Sequence, residues 1–166
     1  LASYQNQATL NPAAADRSHL DRAIVICEKG LSINDKQPTL WDTLGVVYTF
    51  DTDLKNYDRA VGCFNRALQL HPENGMVHFH MGATLAKIGN AERAIDYLEN
   101  ARKLLPGLAD VYKFLAYSYR SKGQLQLAID NLSQYLRIKP NAIDAQRISK
   151  DVSDLQAQLK NATPQS

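Results

Sequence analysis

Two cysteines and a group of histidines are the residues of this 166-residue chain that could do chemistry. Cys27 and Cys63 could form a disulfide, hold a metal or supply a nucleophile. His71, His78 and His80 lie within one ten-residue stretch and could ligate zinc. Which of these uses is open to them depends on the elements that carry them.

His78 and His80 belong to a segment, residues 74–88, that we predict to be helical. Residues two apart on an α-helix are separated by about 200° and point to opposite faces, whereas a helical zinc pair needs i, i+4 spacing. We therefore expect His78 to pack and His80 to face a neighbouring helix or a groove. We expect no metal site and no cofactor.

Motifs that would indicate catalysis are missing from the sequence. It contains no G-x-S-x-G, no P-loop and no G-x-G-x-x-G, and no set of Cys, His and acidic residues has a useful spacing. The acidic residues fall mainly on the outer faces of predicted helices. We expect no catalytic residue and a chain that is not an enzyme.

One stretch, from Trp41 to Pro72, sets the pattern of the chain. It reads Trp41-x-x-Leu44-Gly45-x-x-Tyr48, then Ala60-x-x-x-Phe64-x-x-Ala67, then Pro72. The large residues fall on the i, i+3, i+4, i+7 rows that form one buried stripe of a helix. The small residues Gly45 and Ala60 suit the point where two antiparallel helices come closest. The stretch therefore predicts a helical hairpin.

The pattern returns downstream with one constant step, in the alanines Ala60, Ala94 and Ala128 and in the prolines Pro72, Pro106 and Pro140. Gly89-Asn90 and Gly123-Gln124 mark turns where one helix stops and the next begins. We predict paired helices at 38–50 and 56–70, at 74–88 and 91–104, and at 108–122 and 125–138.

This pattern resembles the tetratricopeptide repeat, whose units of about 34 residues carry W-x2-L-G-x2-Y, A-x3-F and a closing proline. The resemblance implies an all-α fold, a right-handed superhelical solenoid of helix-turn-helix units. We divide the chain into a partial N-terminal repeat (1–37), a repeat with a three-residue turn insertion (38–72), two regular repeats (73–106 and 107–140), a capping helix (141–160) and a tail (161–166).

The N-terminal part departs from the regular pattern. We place the insertion in a turn at residues 51–56, where it is either a tolerated surface loop or a contact for a partner. A second helix of an earlier unit is predicted at 18–33, and Leu1-Ala2 fits the first helix of that unit. We interpret the chain as a piece cut from a longer repeat array, although a natural processing site would look the same.

At the other end, Asn141 is predicted to cap a last helix whose third residue is Asp144. A terminal repeat has no following neighbour, so its last helix needs one apolar stripe and a polar outer face. The predicted stripe consists of Ile143, Ile148, Val152, Leu155 and Leu159.

The predicted helices also decide between the uses of the two cysteines. Cys27 and Cys63 fall in second helices of adjacent units, whose axes lie about 8–10 Å apart, usually too far for a relaxed disulfide. We expect both to be small buried thiols.

Charge and hydropathy limit the partners. The 19 basic and 17 acidic residues are mixed along the chain, so no basic patch for nucleic acid or lipid stands out. No run of about 18 apolar residues occurs, and no signal-peptide pattern begins at Leu1. We expect no nucleic-acid partner, no membrane insertion and a soluble chain, in either the cytoplasm or the periplasm.

In the family that the chain resembles, first helices line a concave groove that binds peptides or helices of other proteins. The corresponding positions predict a groove with an aromatic middle and basic neighbours: Phe50, Phe79, Ala83, Lys87, Lys113, Tyr117 and Arg120. Phe79 and Tyr117 would contact an apolar anchor, Ala83 would leave a pocket, and Lys113 and Arg120 would hold an acidic group. The alternative is that the two aromatic residues only pack against adjacent helices.

One subfamily, the receptors for chaperone tails, can be compared with this sequence at its ligand-binding residues. These members bind a C-terminal carboxylate through a lysine followed four residues later by an asparagine, with a further lysine in a later unit. Here Tyr117 follows Lys113, and Asp144 stands where a lysine would be needed. A chaperone-tail receptor is therefore disfavoured.

We predict a non-catalytic scaffold that binds a partner protein or peptide in its groove. The alternative is a structural spacer or self-association module within a larger protein, since an open N-terminal repeat favours end-to-end contacts. The string Asp42-Thr43-Leu44-Gly45-Val46-Val47-Tyr48 also resembles later repeats of bacterial proteins linked to exopolysaccharide production and protein export.

Replacing Ala94 with leucine tests the predicted close approach of paired helices. We expect Ala94→Leu to lower the free energy of unfolding by roughly 1–3 kcal/mol, because added methyl groups would force the helices apart. Thermal unfolding followed by circular dichroism measures the change. An unchanged melting temperature would show that Ala94 does not lie at the close approach.

Overall fold

The computed structural model describes residues 17–50 and 54–162, which form eight α-helices and no β-strand. The predicted all-α class is thus confirmed. The chain divides after Pro72 into two compact units. The first contains α1 (Arg17–Ile33), α2 (Pro38–Phe50) and α3 (Leu54–Leu70), and the second contains α4 (Gly75–Lys87), α5 (Ala91–Leu104), α6 (Ala109–Ser121), α7 (Leu125–Ile138) and α8 (Ala145–Ala162).

In the first unit α2 pairs with α3, and α1 packs against α2. The closest approach of the pair falls at Gly45, where an added Cβ would lie 2.6 Å from a ring carbon of Phe64. The Phe64 side chain is completely buried, and Leu44 and Tyr48 are buried beside it. The small and large positions of the sequence pattern therefore fill one another's space, as predicted.

The second unit repeats this arrangement, with α4 paired to α5 and α6 paired to α7. An added Cβ on Gly82 would lie 2.6 Å from Cγ of Leu98 and 3.1 Å from the carbonyl oxygen of Ala94. Ala94 is completely buried, so the interhelical contact leaves no space for a longer side chain. Helix α8 packs against α7 and covers it with Ile148 and Leu155.

The turns between paired helices follow the predicted glycines. Gly89 and Gly123 have φ angles of 80° and 72°, in the left-handed region that glycine adopts at little cost. After each glycine the next amide reaches back to the end of the helix: Asn90 N donates to the Leu85 carbonyl and Gln124 N to the Tyr119 carbonyl, both at 2.9 Å. These bonds satisfy carbonyls that a helix end otherwise leaves unpaired.

Helix α3 begins at Leu54, two residues before its predicted start at residue 56. The predicted turn at 51–56 is therefore wrong for residues 54–56, which are helical. The segment 54–56 contains no glycine or proline that would prevent the helix from extending toward its N-terminus. Residues 51–53 and the last four residues of the tail lie outside the described part of the chain. Leu1-Ala2, which we predicted to fit the first helix of an earlier unit, also lies outside it.

The predicted start of the last helix is also wrong. Helix α8 begins at Ala145 rather than after Asn141, and the carbonyl of Asp144 accepts its first bond, from Ile148 N at 2.9 Å. The side chain of Asp144 is held by Tyr135 and Lys113, which fixes the preceding backbone in a turn. Ile143 is consequently fully exposed and does not belong to the buried stripe.

Two glycines provide a matched pair of substitutions for the close approach. Gly45→Ala should lower the free energy of unfolding by about 1–3 kcal/mol, because its methyl group would overlap Phe64. Gly62→Ala, on the paired helix, meets no atom within 4 Å and should raise it by about 0.5–1 kcal/mol through helix propensity. Urea unfolding followed by circular dichroism measures both. Equal effects of the two changes would contradict this account of the helix pair.

Candidate functional site

Phe79 on α4 and Phe114 on α6 meet where these helices pack together, and Tyr117 lies three residues after Phe114 on α6. We call these three side chains the aromatic face. The rings of Phe79 and Phe114 lie 5.8 Å apart with their planes at 69°, an edge-to-face arrangement. All three side chains are half-buried. Edge-to-face pairs contribute about 0.5–1.5 kcal/mol beyond the area that they bury, so the rings are held in a fixed orientation while part of their surface stays accessible.

Tyr117 packs against the core that α6 shares with α7 and α8. Its hydroxyl is buried beside the guanidinium of Arg147 in α8, and hydrogen bonding to this hydroxyl is the main cause that raises the pKa of Arg147. The ring of Tyr117, and not its hydroxyl, therefore contributes to the aromatic face.

The remaining predicted groove residues surround this face or lie in the other unit. Ala83 is buried on α4, and Lys87 and Arg120 are exposed at the C-terminal ends of α4 and α6. Desolvation lowers the pKa of the Lys87 ammonium. Phe50, the half-buried last residue of α2, belongs to the first unit.

Lys113 lies at the centre of a charge network with Asp110, Lys139, Asp144 and Arg147. Its ammonium is 3.2 Å from Asp110 and 3.1 Å from Asp144, and it lies 4.9 Å from the centre of the Tyr135 ring. Lys139 lies 2.9 Å from Asp110, and Arg147 lies 3.5 Å from Asp144. The positive charge that we predicted to hold an acidic ligand is therefore already balanced by two carboxylates of this chain.

The pKa values follow from this geometry. Burial disfavours the charged form of Lys113, but the hydrogen bond to Asp144 and the charge of Asp110 outweigh it and raise its pKa. Burial likewise disfavours the Asp144 carboxylate, but hydrogen bonds from Tyr135 and Lys113 outweigh it and lower its pKa. The network is thus stable in its charged form at neutral pH.

Two residues of this site were not predicted to belong to it. Phe114 lies one position after Lys113, and its ring contacts that of the predicted Phe79. The sequence signal for it is an aromatic residue next to a predicted groove position. Asp144 was predicted as the third residue of the last helix and as an acidic residue where a lysine would be needed, but not as a partner of Lys113. Local spacing does not indicate this pairing, because the two residues lie 31 positions apart.

The cysteines and histidines have no catalytic arrangement in the described residues. Cys27 and Cys63 are buried free thiols, and burial, with the charges of Cys27 and Glu28, raises the pKa of Cys63 to about 12. Its thiol is therefore neutral and unreactive at physiological pH. His78 packs against Tyr97, with ring centres 5.8 Å apart, and His80 lies beside Phe79.

The charge network predicts a pH dependence of stability. A carboxyl group whose pKa is lowered on folding adds stability above its ordinary value of 3.8, and this is lost as the pH falls toward the folded value. Asp144→Asn should lower the free energy of unfolding by about 1–2 kcal/mol at neutral pH. The free energy of unfolding that wild type loses between about pH 5 and pH 2 should be lost to a smaller extent by this variant.

Asp154→Asn, exposed on the helix that follows Asp144, is the matched control and should change stability by less than about 0.5 kcal/mol. Urea unfolding across this pH range measures all three proteins. Parallel pH profiles for wild type and Asp144→Asn would contradict the assigned role of Asp144.

No helix in the described ranges is long and apolar enough to span a bilayer. Among known proteins, the chain is 25% identical over 87 residues to small glutamine-rich tetratricopeptide repeat-containing protein 2 of Mycosarcoma maydis. This match covers 52% of the chain and 25% of that protein, so the chain spans about a quarter of its relative.

Solved structures share the fold. The chain resembles the crystal structure of MamA with a TM-score of 0.71 and 24% identity, over 86% of this chain and 85% of that one. It resembles the first repeat domain of RPAP3, bound to the HSP90 peptide SRMEEVD, with a TM-score of 0.66 and 17% identity, over 72% of this chain and 93% of that one. The narrower resemblance to bacterial exopolysaccharide and export proteins stays a prediction.

A family model described as tetratricopeptide repeat matches residues 53–109 and 81–143, which together make up more than half of the chain. The matches include helices α4 to α7, which form the two helix pairs of the second unit. Gly82 and the residues of the aromatic face lie on these helices. The chain belongs to the tetratricopeptide repeat family.

Proposed function

We propose that the second unit is a non-catalytic recognition module that binds a segment of a partner protein on the surface shared by α4 and α6. The edge-to-face rings of Phe79 and Phe114, which stay half-buried where α4 meets α6, carry this proposal. Members of the family generally mediate protein–protein interactions, and the RPAP3 neighbour is bound to a peptide, which supports a peptide as the class of ligand.

The aromatic face accepts the apolar anchor of the segment. Half-buried aromatic side chains that are already fixed by packing lose little conformational entropy on binding, which is why such residues are common hot spots. Ala83 leaves room above α4 for the anchor, and the half-buried ring of Tyr117, about one turn after Phe114 on α6, extends the apolar surface.

An acidic group of the segment pairs with Arg120 rather than with Lys113. Lys113 already forms salt bridges with Asp110 and Asp144, and a ligand carboxylate would have to displace one of them. Arg120 is exposed in the last turn of α6, and within the described residues no carboxylate forms an ion pair with it. Lys87 lies at the corresponding end of α4 and adds positive charge, and Phe50 stays a proposed contact of the first unit.

The experiment selects ligands first and then tests the face. A phage-displayed library of random linear peptides is panned on the wild-type chain, and the enriched peptides are synthesised with a fluorescent label. We expect enrichment of an aromatic or branched aliphatic residue with Asp or Glu nearby. Fluorescence anisotropy then gives the dissociation constant for each variant.

The double variant Phe79→Ala/Tyr117→Ala should weaken binding by at least about 30-fold, equivalent to about 2 kcal/mol, while its helicity stays unchanged. Arg120→Glu should weaken only the peptides that carry the acidic residue. Asn100→Ala, exposed on α5 away from this face, is the control and should bind like wild type. A folded double variant with wild-type affinity would show that the recognition surface lies elsewhere.

A further inference from the structure

The first unit contains a cleft that the proposed function does not use. It has a volume of about 590 Å³ and lies among α1, α2 and α3, with Trp41, Leu44 and Leu31 among its apolar lining residues. This volume is within the range of about 300–1,000 Å³ that is usual for sites of small ligands. We call it the first-unit cleft.

The cleft is large because two residues of α3 are small. In the second unit the positions one repeat later carry Asp96 and Tyr97, and the Tyr97 ring packs against His78 at 5.8 Å. In the first unit these positions are Gly62 and Cys63, and an added Cβ on Gly62 would meet no atom within 4 Å. The corresponding residues Arg93, Asp96 and Tyr97 line a smaller cleft of about 340 Å³, so the small residues of the first unit enlarge this space.

The indole of Trp41 has a fixed orientation. Its Nε1 donates to the backbone carbonyl of Asp35 at 2.7 Å, which holds the ring in place. Burial raises the pKa of Cys63 to about 12, so the thiol is an uncharged part of the wall. These groups provide a rigid apolar surface with no charge of its own.

Two opposite charges flank this surface beside the ring of Tyr48. The carboxylate of Glu28 accepts a hydrogen bond from the Tyr48 hydroxyl at 3.4 Å, and the guanidinium of Arg59 lies 5.7 Å from the centre of the same ring. Within the described residues no salt bridge joins Glu28 to Arg59. A cation site and an anion site are thus present at one cleft and do not neutralise each other by direct contact.

We propose that the first-unit cleft binds a small zwitterion of the α-amino-acid class with an aromatic or branched aliphatic side chain. The ammonium group pairs with Glu28, the carboxylate pairs with Arg59, and the side chain packs on Trp41 and Leu44. Paired ionic contacts on both ends of a small ligand give orientation and specificity, while the rigid apolar surface contributes affinity. This site is separate from the aromatic face and does not depend on the function proposed for it.

Trp41 is the single tryptophan of the chain, so its fluorescence reports on this cleft alone. Titration with L-phenylalanine, with excitation selective for tryptophan, should give a saturable change in emission with a dissociation constant of about 1 mM. N-acetyl-L-phenylalaninamide, which has the same side chain but neither charge, should bind at least about ten-fold more weakly.

Three variants locate the binding. Glu28→Gln and Arg59→Gln should each weaken L-phenylalanine binding by at least about three-fold, because each removes one ionic contact at a partly exposed site. Gly62→Leu should abolish the saturable change by filling the cleft, with helicity retained since the glycine has open space around it and leucine favours helix. Asp96→Leu, at the corresponding position of the second unit, is the matched control and should bind like wild type.

Three results would overturn the proposal. They are the lack of a saturable change up to about 50 mM amino acid, equal binding of the uncharged analogue, and wild-type binding by a folded Gly62→Leu variant. Isothermal titration calorimetry with L-leucine repeats the measurement without reliance on fluorescence. Loss of peptide binding on the aromatic face would leave these results unchanged.

Discussion

The distance between paired helices is the constraint on which the rest of this structure depends. Two helices approach closely only where one of them has a very small side chain, as at Gly82, where an added Cβ would lie 2.6 Å from Leu98. Because the small residues face the second helix, the other rows of the first helix are available to neighbouring first helices or to a ligand. Phe79 and Phe114 meet in this way, with Tyr117 about one turn further along. The aromatic face is thus a consequence of the helix pairs beneath it.

The charge network shows how one polar residue changes the chemistry of such a surface. Asp144 comes from the turn before α8, and its carboxylate satisfies both Lys113 and Tyr135. A half-buried lysine would otherwise need water or a ligand anion to balance its charge. By supplying that anion internally, the chain attaches the turn before its last helix to α6 and α7.

Sequence periodicity alone determined the helices, their pairing and the small and large residues of each contact, because these depend on local spacing. The constant step between repeats located Ala94, Gly82 and the turn glycines, and the structure agrees at each of them. Periodicity could not determine where α8 begins, because Tyr135 and Lys113 hold Asp144 from other helices and so delay the start of the helix.

The state of each side chain in the candidate site was decided by tertiary structure. The residue types predicted a lysine that could hold an acidic ligand and an aromatic wall. Only the three-dimensional arrangement shows Lys113 between two carboxylates and Phe79 against Phe114. The first-unit cleft depends on the same kind of information, since Gly62 and Cys63 fit the helical pattern as well as their bulkier counterparts in the second unit do. A repeat pattern specifies which positions must be filled, but whether a charge is paired or a space is empty depends on contacts between residues far apart in the chain.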